Sequence, residues 1–309
     1  MESLRPNRDL LDPKFEGYKL SLEPLTLSST NLVSAVNDVP LREELFSFQH
    51  MRAFGNLNHL VLDSWLDGVK HQVIYFVNEN YEVQRATVKD KEISSVDRVF
   101  KIPSVEKTKD TLNVTLFFAS QSLACLSDGC DKLFLLQTEG RTQDISENTV
   151  WKVATVYQLN QPSLILHAVQ CQETGSVSCL LLNITENDTA TSVKDAHIVH
   201  LELIAFSQVT SFGAVSYSCE MLQQFRGYSA PVYAAIEPGC TAILVASERP
   251  FSLVKGDDDE KPPVLKFSDT DDEMANKGSN NSSSPVYKWF QDSETVTVSF
   301  EIPEGTNRD

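Results

Sequence analysis

Short runs of β-branched, aromatic and leucine residues recur along this chain, and each is bounded by Gly, Pro, Asn, Asp or Ser. "QVIYFV" (72–77) turns at "NEN" into "YEVQRATV" (81–88), and "TLNVTLFFAS" (111–120) precedes "LACLSDGCDKLFLLQT" (123–138), where Ser127-Asp128-Gly129 is a hairpin signal. "SLILHAVQ" (163–170) meets "SVSCLLLNIT" (176–185) across "CQETG", and "HIVHLELIAF" (197–206) follows a polar loop. "HLVLDSW" (59–65) reads the same way, and "VYAAIEPGCTAILVASERPFSLV" (232–254) supplies three strands separated by "EPG" and "SERP". Runs of this length and punctuation suit strands, and helical periodicity is confined to the stretch "LREELFSFQH" (41–50). The pattern predicts an all-β protein.

The groups open near His59, Thr111, Ser163 and Val232. Recurrence of antiparallel groups at such spacing is the signature of propeller blades, although neither a WD dipeptide nor a kelch glycine pair marks them. A β-sandwich fits the same runs nearly as well. The expected organisation is a β-propeller-like region of four blade-like groups over 1–254, a disordered acidic linker over 255–285, and a new β region over 286–309. The linker, "KGDDDEKPPVLKFSDTDDEMANKGSNNSSSP", is too polar to offset its ordering entropy by burial.

Charge narrows the partners. The chain carries a formal net charge of -17, and from Gly256 onward 13 acidic residues face 5 basic ones. A phosphate backbone repels such a surface, so nucleic acid is not the expected partner. No apolar run is long enough to span a membrane, and "MESLRPNRDLLDPKF" lacks an apolar signal core, which predicts an intracellular protein. Six cysteines, at 125, 130, 171, 179, 219 and 240, contain no CxxC pair and are expected to be reduced apolar fillers. Cys125 and Cys130 flank one hairpin, and a disulfide there is disfavoured in the cytosol. The sequons at Asn113, Asn183, Asn187, Asn280 and Asn281 are expected to be empty for the same reason.

Catalytic patterns are missing. The sequence has no GxSxG, GxxxxGK, GxGxxG or HExxH. His197 and His200 lie three apart in a strand and so face opposite ways. His50, His59, His71 and His167 stand singly among apolar neighbours and read as structural. "DTDDEMANKGSN" (269–280) resembles a calcium loop but has Met274 where glycine is needed and Asn280 where a bidentate glutamate is needed. No cofactor or metal site is expected. Ser268 and Thr270, each with an acidic residue three positions on, are candidate phosphosites for an acidophilic kinase.

The tail alternates strictly: Val296, Val298, Phe300 and Ile302 are apolar, and Thr295, Thr297, Ser299 and Glu301 are polar, before Pro303. That period of two predicts one strand with a buried and a wet face. Tyr287 and Trp289 before it read as core packing or, alternatively, as a partner-binding surface.

Four stretches resemble the NudC family of chaperone-associated proteins. They are "LLDPKFEGYKLSLEPL" (10–25), "HMRAFGNLNHLVLDSW" (50–65), "YAAIEP" (233–238), and a tail similar to the opening of a CS domain, with Tyr287, Trp289, Gln291, Val296, Val298, Ile302 and Pro303 at the motif positions. The resemblance implies a CS domain inserted in a propeller-like region whose later blades follow it. It implies that this chain is a truncated isoform, fragment or incomplete gene model with an unclosed propeller. It further implies a non-enzymatic co-chaperone or adaptor of the cytoplasm and nucleus, whose partners are an ATP-driven heat-shock chaperone and dynein-associated or coatomer complexes. The alternatives are a β-propeller hydrolase using Asp63, Asp128 or Glu237, although turn roles suit these three better, and a non-functional truncated product. Trp65 and Trp151 are expected to pack within and between blades.

Overall fold

The computed structural model describes residues 28–40, 42, 44–65, 72–138, 141, 150–211, 214–254, 287–291 and 296–300. The chain divides into two compact units, Met1–Lys266 and Phe267–Asp309. The described residues form an all-β protein with one short α-helix.

In the first unit, α1 (Phe48–Gly55) starts immediately after Ser47, whose extended backbone and side chain cap it. His50 completes a capping box: the Ser47 N–H donates to its Nδ1 at 3.1 Å, the role usually taken by Glu or Gln. The helix therefore begins later than the 41–50 stretch suggested, because Ser47 caps it and 44–47 lie outside it. The first sheet holds β1 (Val61–Leu62), β2 (Gln72–Val77), β3 (Glu82–Lys89) and β4 (Glu92–Lys101) in sequential antiparallel order. The second repeats that order with β5 (Thr115–Phe118), β6 (Leu123–Ser127), β7 (Lys132–Gln137) and β8 (Lys152–Gln158). The third runs β9 (Leu164–Gln170), β10 (Val177–Glu186), β11 (His197–Ser211) and β12 (Ala214–Gly227). Then come a separate pair, β13 (Tyr233–Ile236) with β14 (Ile243–Ala246), and β15 (Ser252–Leu253), which returns to the outer edge of β12.

Three apolar clusters hold these sheets face to face in series. Val73, Tyr75, Val83 and Val99 pack on Leu116, Phe118, Leu126 and Phe134. The opposite face of the second sheet, with Leu123, Cys125, Leu133 and Leu135, packs on Val177, Cys179, Leu181 and Phe206 of the third. Leu180, Leu182, Leu201 and Leu203 cover the third sheet's other face together with Ile236 and Ile243 of the pair and Phe46 and Ala53 at α1. A strand buried on both faces has no use for alternation, which is why β7 reads "KLFLLQ" and β10 reads "VSCLLLNITE".

The turns follow their side chains. Asp128 Oδ1 accepts the N–H groups of Cys130 at 2.8 Å and Lys132 at 3.1 Å, and Gly129 takes φ +76. Asn78 Oδ1 likewise accepts from Asn80 and Glu82 in the β2–β3 turn. Both are turns of the kind that Asx side chains build.

In the second unit, β16 (Tyr287–Gln291) and β17 (Val296–Phe300) form an antiparallel hairpin that sets Trp289 opposite Val298 and Gln291 opposite Val296. The single tail strand expected from alternation is thus the second arm of a pair. Its partner "YKWFQ" does not alternate in polarity as the tail strand does, so periodicity alone did not reveal it. Ile302, Pro303, the 10–25 stretch, the linker, Ser268 and Thr270 lie outside the described residues.

Candidate functional site

Each of the first three sheets begins with a strand hydrogen-bonded on one side only: β1 to β2, β5 to β6 and β9 to β10. These free edges converge. The Ile165 N–H on β9 donates to Thr115 Oγ1 on β5 at 2.9 Å, and the Gln170 N–H donates to the Ala119 carbonyl at 2.9 Å. Between them runs an open groove of about 380 Å³, walled by Leu60, Val61 and Leu62, by Thr115 to Phe118, and by Ile165 and Leu166. Leu60 and Leu62 are 55% and 54% exposed, leaving apolar surface at its lip. Backbone groups at strand edges beside exposed leucines are what an added strand or another β protein can dock against.

A buried charge cluster fixes one end of this groove. The Arg141 guanidinium lies 3.5 Å from Asp63 Oδ2, with both side chains almost wholly buried. It donates to the carbonyls of Ser120 at 2.6 Å and Gln121 at 3.1 Å and covers the Phe118 ring at 4.0 Å. Asp63 also accepts the Trp65 N–H at 3.1 Å, and the Trp65 indole donates to the Phe118 carbonyl at 3.4 Å. Arg85 reaches the Arg141 carbonyl at 3.3 Å. Burial is the largest influence on Asp63 and raises its pKa despite the neighbouring guanidinium; burial likewise lowers that of Arg141 and raises that of Tyr75. The cluster bolts the first sheet to the second and ties Trp65 and Arg141 to the segment from Phe118 to Gln121.

The residues singled out from sequence are dispersed. Asp63 is in that ion pair, Asp128 is in its hairpin turn, and Glu237 accepts the Thr241 hydroxyl at 2.7 Å in the β13–β14 turn. Among the described residues no group of three or more His, Cys, Asp or Glu could hold a metal ion. The histidines serve structure: His167 Nδ1 accepts the Ile236 N–H at 3.2 Å, and His200 pairs with Thr185 at 3.1 Å. His50 and His197 meet edge to face at 6.2 Å; His71 is outside the described residues. All six cysteines are free. Asn113 and Asn183 are buried, which closes those two sequons by geometry. Trp151 packs against Tyr75 and Phe118 between the first two sheets, whereas Trp65 is 44% exposed. No described helix is long and apolar enough to cross a membrane.

The fold defines an all-β, multi-sheet protein with an open groove between strand edges. No profile of a known protein family matches the chain. It is 31% identical over 311 residues to NudC domain-containing protein 1 of Xenopus tropicalis. The proteins of the same name from Xenopus laevis and Mus musculus are 29% and 30% identical over 311 and 318 residues. These matches take in 99% of this chain and 50% of each relative, so the chain spans about half the length of the curated relatives it matches. Along nearly its whole length the chain is similar to these NudC domain-containing proteins.

Proposed function

We propose that this chain is the partner-binding portion of a non-enzymatic NudC-family adaptor or co-chaperone, its first unit a β-propeller-like scaffold. The observation that carries the reading is the match to NudC domain-containing relatives along the whole chain. The groove between β1, β5 and β9 supports it, because free strand edges and exposed leucines suit extended or β-rich clients. In this reading the second unit, with Tyr287, Trp289, Gln291, Val296, Val298, Ile302 and Pro303, belongs to a CS domain that cooperates with an ATP-driven heat-shock chaperone. Dynein-associated and coatomer complexes are the candidate clients, and the cytoplasm and nucleus the compartments.

The test is binding of the purified chain to purified heat-shock chaperone and coatomer, before and after Leu60→Asp with Leu62→Asp. Both leucines are exposed, so the fold tolerates the change. The proposal expects binding to fall about tenfold or more, while Val193→Asp, at a site 94% exposed and distant in the chain, changes nothing. Binding that is absent, or equal in all three proteins, overturns it.

A further inference from the structure

Charged residues make up 22% of this chain, and such residues are mostly exposed in folded proteins, so an open groove ordinarily carries several. The groove along β1, β5 and β9 carries none among the described residues that line it, which are apolar or bear neutral Asn, Ser and Thr side chains. One charge does occur within the wall stretch 60–65, at Asp63. Its side chain is 0% exposed and pairs with Arg141, whose guanidinium lies over the Phe118 ring. The pair is neutralised inside the molecule and offers no charge to the groove.

The lining stays uncharged beyond Ser64 and Phe118. A second open cavity, of about 340 Å³, is walled by Trp65, by two serines and by Gln121, Gln170 and Gln172, again with no charged side chain among the described residues. Trp65 links it to the groove, because its indole donates to the carbonyl of Phe118, a groove residue, at 3.4 Å. Glutamine amides both donate and accept, as the backbone of a neighbouring strand does. The molecule supplies its own contrast. An open cavity of about 370 Å³ on the first sheet is lined in part by Glu82, which pairs with Arg98 at 3.1 Å and Lys101 at 3.8 Å. Lack of charge therefore belongs to the groove and its continuation, not to open surface in general.

Resting on the proposed reading of the groove as the binding surface, we infer that its occupant is an uncharged extended segment of a partner protein, added along the free strand edges. A charged side chain laid there loses water and meets no counter-charge in the described lining, whereas Ser, Thr and apolar side chains lose little. Alternate side chains of an extended segment reach one face, and those opposite the exposed Leu60 and Leu62 are apolar. The chain's net charge of -17 would by itself favour a cationic segment. The lining favours a neutral one, and the two expectations can be told apart.

The experiment is isothermal titration calorimetry of the full chain with three end-blocked peptides. The first alternates valine with threonine; in the others two adjacent central residues are lysine or aspartate, so that either register brings a charge into the groove. The neutral peptide is expected to bind, and the lysine and aspartate peptides to bind about tenfold or more weakly. Leu60→Asp with Leu62→Asp is expected to weaken the neutral peptide by a similar factor, and Val193→Asp to leave it unchanged. Ser64→Lys, at an exposed wall position, is expected to weaken the neutral peptide and strengthen the aspartate one. A lysine peptide that binds as tightly as the neutral one overturns the inference, since net charge then governs. So does a neutral peptide that fails to bind, or that binds equally after Leu60→Asp with Leu62→Asp. Failure of the proposed function reads differently: chaperone and coatomer binding ignores Leu60 and Leu62 while the neutral peptide still selects the groove.

Discussion

His50 shows how much one side chain can be asked to do. It accepts the Ser47 N–H, packs against Phe46 at 5.5 Å, and is pushed down to a pKa of about 4, first by burial and then by His197. Folding therefore selects the neutral ring. Its contribution is whole above the ordinary histidine pKa, shrinks as the unfolded chain protonates below pH 6.5, and levels near pH 4. Allowing for solvent screening of the half-buried ring, about 1–2 kcal/mol is lost across that window. Urea unfolding at pH 7 and pH 4.5 should show the loss in the native chain and a smaller one in His50→Gln, which keeps the capping box. Equal losses in both contradict the assignment. Asp63 behaves differently, because its raised pKa means the native state takes up its proton before the unfolded chain does. Acid therefore relieves rather than creates its strain. Asp63→Ala should cost about 3–5 kcal/mol at pH 7, since it leaves Arg141 buried without its carboxylate. A loss below about 1 kcal/mol by denaturant midpoint contradicts a buried bolt at this end of the groove.

Among the elements, the β6–β7 hairpin makes the sharpest demand. A Cβ on Gly129 would stand 2.1 Å from the Leu112 carbonyl oxygen, so neither the φ nor the space admits alanine. Gly129→Ala should destabilise the chain by about 2 kcal/mol or more, read as a lowered melting temperature. An unchanged melting temperature would mean that the turn relaxes without cost. Leu181→Ala, at 0% exposure between the second and third sheets, should cost about 2–5 kcal/mol. The hairpin was legible from Ser127-Asp128-Gly129, and the central strands from their apolar runs. In the first unit, the strands that the runs did not announce are β4 "EISSVDRVFK", β8 "KVATVYQ" and β12 "AVSYSCEMLQQFRG". The first two are outermost in their sheets and the third meets only the two-residue β15 on its outer side. All three are partly solvated, so sheet pairing rather than sequence hydrophobicity holds them. The groove was illegible for a related reason. It is made by edges from three distant segments, and nothing local in "HLVLDSW", "TLFF" or "LILHAVQ" says that they will meet.

At the largest scale, the three stacked sheets of the first unit bring the edges of β1, β5 and β9 to one groove, and the proposed function makes that groove the binding surface. Hydrogen–deuterium exchange of the purified chain, alone and bound to a heat-shock chaperone or coatomer client, tests this most directly. The account predicts slowed exchange in 59–65, 115–118 and 164–170, with the outer strands β4 and β12 unchanged. Protection confined to β4 or β12, with those three segments exchanging as in the free chain, would contradict it.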